Sequence, residues 1–192
     1  MSPLLIALII LISAVEIYAV HLFLKRRRAN AIIGVSNRLP DFDCLTENGQ
    51  RVNSQSLRGQ NVVLMFVRGS WCPFCNEQIK SMSSHYREIT QMGARMIIIT
   101  RKPLSTTRRV ADMFGMDFEY WLDEDLKAAE LLGLVDNDGT PEKVRSEFGK
   151  RTIRPTVLVT DKERVIRYSF RSPNVSTRPD PKKIVAALKK LR

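Results

Sequence analysis

Apolar runs rich in β-branched residues alternate along the chain with segments whose apolar residues recur at helical spacing. The runs NVVLMFV at 61–67 and ARMIIIT at 94–100 are typical of central strands that are covered on both faces. A helix is predicted from Pro73 to Met92, since proline is tolerated at the first helical position. The runs PTVLVT at 155–160 and VIRYSF at 165–170 predict a hairpin. This order predicts an α/β domain with a mixed central sheet flanked by helices.

Shorter elements complete this pattern. LPDFDC opens the domain as an extended segment, and TENGQRV carries the Asn-Gly of a tight turn. The remaining predicted elements are helices at 105–116, 123–133 and 180–191 and a strand at 118–123.

The N-terminal stretch from Leu4 to Leu24 is apolar apart from Glu16 and His21 and contains no lysine or arginine. About 20 such residues in a helix cross a hydrocarbon core of roughly 30 Å. A secretory signal peptide carries basic residues before its apolar core, whereas here the basic run KRRR follows it. The pattern predicts a single transmembrane anchor at 1–24, a basic, irregular juxtamembrane tether at 25–38 and one domain at 39–192.

The same basic run predicts the orientation of the chain. Basic segments that flank a membrane span stay in the cytoplasm, so we expect a single-pass protein of the cell membrane whose domain faces the cytoplasm. A carboxyl group near mid-depth is costly unless it is protonated or paired. Glu16 therefore indicates either a contact with a partner helix or a neutral glutamic acid in a lone span.

Composition describes an ordinary globular protein, because 44% of the 192 residues are hydrophobic and 27% are charged. The formal net charge is +11. The basic residues are spread along the chain and are not interleaved with aromatic residues that could stack on bases. We therefore predict no nucleic-acid partner, and attribute the charge to a solvated surface that favours an anionic membrane face.

Two of the three cysteines, Cys72 and Cys75, form a Cys-x-x-Cys directly after the first buried strand. A structural zinc site needs four ligands, and the chain offers no second ligand pair, so no metal is predicted. A structural disulfide needs an oxidising compartment and stabilises little when it closes so small a loop. A Cys-x-x-Cys between a strand and a helix predicts a redox-active pair.

The position of each cysteine predicts its role. Cys72 lies at the start of a helix, where unpaired N–H groups and the helix dipole favour the thiolate. Arg68 is near enough in sequence to add to this effect, and Trp71 supplies an apolar cover. Cys75 lies one turn further along, within disulfide reach. Cys72 is therefore predicted to attack and Cys75 to resolve the product, without an organic cofactor.

The chain resembles the thioredoxin-fold superfamily, and more closely its alkyl hydroperoxide reductase/thiol-specific antioxidant (AhpC/TSA, peroxiredoxin-like or redoxin) branch. The resemblance covers about residues 34–192. It is carried by the opening LPDFDCLTENGQRVNSQSLRGQNVVLMF, by FVRGSWCPFCNEQI, and by WLDEDLKAAELLG, RPTVLVTDKERVIRYSF and RPDPKKIVAAL. It implies a thioredoxin-like fold, a disulfide or peroxide substrate, and reduction by a thiol reductant or thioredoxin-like electron donor.

Two further expectations follow from the resemblance. The segment IRPT is similar to the loop of thioredoxin-like folds in which a cis-proline faces the cysteines. Pro155 is then the cis residue, and Arg154 and Thr156 line the site. A proline at the start of a buried strand also agrees with this, because it removes a hydrogen bond from the sheet.

The family patterns assign opposite roles to the two cysteines. Peroxiredoxins show Pro-x-x-x-Thr-x-x-Cys, and on that pattern Cys75 is the peroxidatic residue, Cys72 replaces the threonine and the proline is absent. On the thioredoxin pattern Cys72 attacks. Cys44 is expected to be a small buried residue, with a resolving role as its alternative. A non-catalytic binding module tethered to the membrane is the alternative from another functional class.

Overall fold

The computed structural model describes residues 2–103 and 118–191, and within its first helix it leaves out the side chains of residue 4 and of residues 22–31. The helix predicted at 105–116 lies outside the described residues. The helices are α1 (Pro3–Ile32), α2 (Pro73–Ser83), α3 (Tyr86–Gln91), α4 (Lys127–Leu131), α5 (Arg145–Phe148) and α6 (Pro181–Lys189). The strands are β1 (Asp43–Thr46), β2 (Arg51–Asn53), β3 (Asn61–Phe66), β4 (Ala94–Thr100), β5 (Glu119–Leu122), β6 (Val135–Asp136), β7 (Thr152–Ile153), β8 (Thr156–Thr160) and β9 (Ile166–Arg171).

The described strands form a seven-stranded sheet in the order β2-β1-β5-β4-β3-β8-β9, and β6 and β7 pair separately. Strands β3, β4 and β5 run parallel, whereas β8, β9 and β1 join antiparallel to their neighbours. The mixed sheet predicted from the sequence is confirmed. Strand β3 lies inside the sheet, between β4 and β8, and carries the chain to the Cys-x-x-Cys.

The sheet separates two hydrophobic cores. Every residue of β3 is buried, and successive side chains alternate between the faces. Val63 and Met65 pack into the core that contains Cys72 and Cys75. Leu64 packs into the opposite core, which contains Cys44. The prediction that β3 is covered on both faces is confirmed, and the third cysteine lies on the other side of the sheet from the pair.

The helix predicted from Pro73 to Met92 is two helices, α2 and α3. The backbone leaves helical geometry at His85, where φ is −106° and ψ is 1°. The Ser83 hydroxyl donates to the Ile79 carbonyl at 2.8 Å. A serine that bonds back to the preceding turn bends a helix, which gives the physical reason for the break.

The segment before the domain also differs from its prediction. Helix α1 continues through Ile32, where the sequence predicts an irregular tether, and Ile33 is already buried in the core. Apolar side chains of α1 from Leu5 to Val20 are largely exposed. Among the described residues, no helix has the length and apolar character needed to cross a membrane.

Candidate active site

The two cysteines lie where the chain passes from strand β3 into helix α2. Cys72 precedes the first helical residue with extended backbone angles (φ −93°, ψ 109°), and Pro73 opens the helix. Cys75 lies in the first turn, and its backbone N–H donates to the Cys72 carbonyl at 3.0 Å. Both are free thiols with an exposed fraction of 1%. The predicted pair is therefore present in its dithiol state, beneath the surface.

Arg178 contacts both sulfur atoms, although sequence reasoning did not identify it. Its Nη2 lies 3.2 Å from the Cys75 Sγ and 3.8 Å from the Cys72 Sγ. The residue belongs to the segment between β9 and α6, 106 positions beyond Cys72. It is the first residue of RPDPKKIVAAL, one of the segments that carry the family resemblance, but that segment alone does not indicate a contact with the cysteines, which only the fold creates.

These surroundings separate the acidities of the two thiols. The pKa of Cys72 is lowered to about 6, mainly by a hydrogen bond from the Cys75 thiol, with further contributions from the Cys75 backbone N–H and from Arg68 and Arg178. The pKa of Cys75 is raised, because its proton is held by the Cys72 sulfur and because burial disfavours its thiolate. The proton thus stays on Cys75 and the negative charge on Cys72, in agreement with the predicted roles.

Arg68 and Trp71 form a rigid wall beside the pair. The Arg68 guanidinium lies 4.7 Å from the centre of the Trp71 ring and donates to the Gly139 carbonyl. The indole packs edge-on against Phe148, with the ring centres 6.3 Å apart. At Gly69 φ is +145°, and a Cβ atom there would lie 2.9 Å from the Trp71 Nε1. A side chain at Gly69 would displace the indole, so this position requires glycine.

A cavity of about 440 Å³ gives access to Cys72 but is not lined by Cys75. Phe74 and Val175 stand on its rim and are 43% and 49% exposed. The cavity is also lined by Arg68, Trp71 and Gly139 and by the polar or loop residues Asp138, Pro141, Lys143 and Arg145. A larger cavity of about 800 Å³ lies between the β8–β9 turn and α6 and has no cysteine in its lining. The smaller cavity is therefore the candidate active site, because Cys72 is among its lining residues.

The predicted proline loop is not part of the cavity lining. All described peptide bonds are trans, so the prediction of a cis bond at Pro155 is wrong. Its carbonyl accepts the Ser172 N–H at 2.8 Å and is engaged within the protein. Arg154 donates its N–H to the Leu134 carbonyl and lines a separate cavity, while the Thr156 hydroxyl donates to the Arg154 carbonyl at 3.0 Å. Of the predicted lining residues, Arg68 and Trp71 line the cavity with Cys72, and Arg154, Pro155 and Thr156 do not.

Cys44 takes no part in this arrangement. It lies on β1 in the core on the opposite face of the sheet, with an exposed fraction of 5%. Burial, reinforced by Asp123 and Asp43, raises the pKa of its thiol. An inert buried cysteine, the first expectation from the sequence, agrees with this environment.

Comparison with known proteins identifies related chains. A model of the AhpC/TSA family matches residues 35–169. The thiol-disulfide oxidoreductase ResA of Halalkalibacterium halodurans is 28% identical over 87 residues, which are 45% of this chain and 49% of that protein. The match thus spans about half the length of this curated relative.

Solved structures share the fold. Peroxidoxin BcpB from Mycobacterium tuberculosis superposes with a TM-score of 0.64 at 19% identity, covering 82% of this chain and 97% of that one. The peroxiredoxin 6 of Arenicola marina, solved as a cysteine-to-serine mutant, gives 0.67 at 16% identity, covering 83% and 73%. These likenesses confirm the thioredoxin-like α/β fold.

Proposed function

The chain belongs to the AhpC/TSA family of thiol oxidoreductases, and we propose that it reduces hydroperoxides by cycling Cys72 and Cys75 between dithiol and disulfide. One observation carries the proposal: the pKa of Cys72 is lowered to about 6 beside a Cys75 whose pKa is raised. At neutral pH this makes Cys72 a thiolate nucleophile with a proton-bearing neighbour.

The burial of the pair favours a small oxidant. Cys72 is 1% exposed and is reached through a cavity of about 440 Å³. A peroxide enters such a cavity, whereas a disulfide on a folded protein has to approach within bonding distance of the sulfur. The size of the entrance is thus the reason to prefer peroxide.

The proposed reaction balances without a cofactor. The Cys72 thiolate attacks the terminal oxygen of ROOH, an S–O bond forms, the O–O bond breaks, and the alkoxide takes a proton from solvent and leaves as ROH. The Cys75 sulfur, as it gives up its proton, then attacks the Cys72 sulfenic acid. The S–S bond forms, the S–O bond breaks, and hydroxide leaves with that proton as water. The dithiol supplies both electrons.

A thiol reductant or thioredoxin-like electron donor completes the proposed cycle. Its thiolate attacks the Cys72–Cys75 disulfide, and its second thiol releases the reduced protein by a further exchange. The expected readout is peroxide-dependent NADPH consumption in a coupled assay. Substituting either Cys72 or Cys75 by serine is expected to abolish this turnover. If the double variant instead keeps the cellular role of the protein, the alternative of a non-catalytic binding module replaces the enzyme proposal.

A protein disulfide is the second candidate substrate, since ResA is by name a thiol-disulfide oxidoreductase. Phe74 and Val175 also offer an apolar contact at the cavity rim. In that reaction the Cys72 thiolate attacks one substrate sulfur and expels the other as thiolate. Cys75 then attacks the Cys72 sulfur of the mixed disulfide, which leaves the same oxidised pair and a reduced substrate.

A stopped-flow comparison separates the two candidates. The reduced protein is mixed with hydrogen peroxide, with an organic hydroperoxide and with a protein disulfide, and Cys44→Ser serves as the matched cysteine control. Faster oxidation by a peroxide is expected. If only the protein disulfide oxidises the pair, the peroxide proposal is wrong and the exchange reaction takes its place.

The same experiment tests which cysteine attacks. The Arg178 Nη2 lies closer to the Cys75 Sγ than to the Cys72 Sγ, so the peroxiredoxin pattern needs a direct test. We expect Cys72→Ser to remove the first oxidation step and Cys75→Ser to leave it intact, with a sulfenic acid that accumulates. Peroxide consumption that survives loss of Cys72 but not of Cys75 would reverse the assignment.

We further propose that α1 anchors the protein in a membrane. The support is the sequence from Leu4 to Leu24 together with the exposure of apolar side chains such as Ile10, Leu11 and Ile17, each at least 62% exposed. Leu4 and residues 22–24 at the ends of this stretch lie outside the described side chains. Alkaline carbonate extraction is expected to leave the chain in the membrane pellet. Ile12→Arg should release it, while Ser2→Thr, outside the apolar stretch, should not.

The side of the membrane is proposed from the basic residues after the apolar stretch, Lys25 to Arg28. The new thiol of Ser2→Cys is expected to react with an impermeant maleimide on intact cells. The new thiol of Glu163→Cys, on an exposed turn of the domain, is expected to react only after lysis. The opposite pattern would place the domain on the outer side.

A further inference from the structure

The loop between β9 and α6 is organised around one amide oxygen. Asn174 Oδ1 accepts the backbone N–H groups of Ser176 and Thr177 at 3.0 and 2.8 Å. It also accepts their hydroxyl groups at 3.1 and 2.8 Å. A side-chain oxygen that collects several neighbouring donors fixes the turn that contains them.

This turn carries Arg178 directly. The Arg178 Nη1 donates to the Val175 carbonyl at 3.1 Å and to the Thr177 carbonyl at 2.8 Å. With Nη1 held by the loop, Nη2 is directed at the two sulfur atoms. The orientation of the guanidinium thus depends on carbonyl groups whose positions Asn174 sets.

The loop is fastened at its other end by Ser172, which is 1% exposed. Its hydroxyl lies within hydrogen-bond distance of the carbonyls of Asn174 and Thr177, and its N–H donates to the Pro155 carbonyl. Asn174 and Ser172 contact no sulfur in these bonds. These two residues hold the backbone of the loop, and the carbonyl groups of that backbone orient the Arg178 guanidinium.

We infer that Asn174 is a positioning residue for the thiol chemistry, because it holds the loop that aims Arg178 at Cys72 and Cys75. The inference rests on the proposed function, because positioning of Arg178 matters only if the two thiols react. Its geometric support is the set of hydrogen bonds within the loop. Among the described residues, the charged or titratable groups that act on Cys72 are Arg68, Arg178 and Cys75, and Asp138, Lys143 and Arg145 line the same cavity.

The test is the pH profile of Cys72 alkylation in the reduced full chain, read at each cysteine by mass spectrometry. In Asn174→Ala the guanidinium is no longer held, and the apparent pKa of Cys72 is expected to rise by about one unit. From a starting value near 6, this lowers the alkylation rate at pH 6 about fivefold. Asn174→Asp keeps an acceptor oxygen at the same place and is expected to restore most of the rate.

Two controls separate positioning from a loss of stability. Asn53 makes the same kind of turn at the start of a short 3-10 helix, where its Oδ1 accepts the Gln55 N–H at 2.8 Å. Asn53→Ala therefore removes a comparable turn far from the cysteines, and the Cys72 profile should not move. The double variant Asn174→Ala/Arg178→Ala is expected to match Arg178→Ala alone, because the first residue acts through the second.

The inference is wrong if Asn174→Ala leaves the Cys72 profile in place, or if its effect adds in full to that of Arg178→Ala. Neither outcome depends on substrate, because alkylation involves no peroxide, disulfide or electron donor. A failed turnover assay with an intact alkylation effect would reject the proposed substrates and keep Asn174 as the residue that positions Arg178.

Discussion

The low pKa of Cys72 makes the stability of the reduced protein depend on pH in a way that one substitution removes. The pKa falls from an ordinary value near 9 to about 6 in the folded chain. Between these values the unfolded chain holds a proton on Cys72 that the folded chain has released. Stability therefore rises with pH across this window and is lost as the pH falls through 6.

The size of the effect follows from the shift. Each pKa unit corresponds to about 1.4 kcal/mol, so Cys72 contributes about 2 kcal/mol more stability at a pH of about 8 than at about 6. Cys75 and Cys44 have raised pKa values and act in the other direction, but only above their ordinary values near 9. Measurements up to about pH 8 isolate Cys72.

The assay is urea unfolding of the full chain in detergent micelles with excess reductant, at three pH values from 6 to 8. The quantity compared is the free energy of unfolding of the wild type minus that of Cys72→Ser. We expect this difference to grow by about 2 kcal/mol across the range. The Cys44→Ser difference should stay constant. A Cys72→Ser difference that changes by less than about 0.5 kcal/mol would show that Cys72 is an ordinary thiol.

Three further substitutions test the surroundings of the site. Gly139→Ala places a Cβ atom 2.5 Å from the Thr152 Cγ2 and shifts the carbonyl that holds Arg68, so we expect a loss of about 1 to 3 kcal/mol in urea unfolding. Arg164→Met removes a buried guanidinium and leaves its acceptors, the Leu39 and Pro40 carbonyls and the Ser54 hydroxyl, without their donor, so it should cost about 2 to 4 kcal/mol by the same method. Cys44→Ser should keep peroxide turnover within about twofold, and a larger loss in steady-state assays would give Cys44 a redox role.

The sequence predicts those features of the fold that depend on residues close to one another in the chain. The apolar run of β3 and the proline that opens α2 placed Cys72 between strand and helix, and the structure confirms that position. The break at Ser83 was missed because the apolar spacing continues across it, while one hydroxyl competes for a helix carbonyl. The prediction for Pro155 was wrong because tertiary contacts surround that residue: its carbonyl accepts the N–H of Ser172, which follows the end of β9.

Arg178 shows most plainly where sequence reasoning ends. It opens the family-like segment RPDPKKIVAAL, yet nothing in that segment indicates that this arginine, among the basic residues of a chain with a net charge of +11, contacts the cysteines. Its role arises because β9 runs beside β8 and delivers the following loop above α2. Such a contact depends on the topology of the whole sheet, and a single sequence carries no local record of it.

Arg178 lies 106 positions after Cys72 in the sequence, which has a consequence for the order of events during synthesis. A ribosome synthesises the two cysteines before the segment that contains Arg178, and a domain generally folds as a unit. Until that segment docks, Cys72 lacks one of the two guanidinium groups that favour its thiolate. The growing chain therefore carries a less reactive thiol than the finished protein. Docking of the last loop and helix is the step that completes the nucleophile.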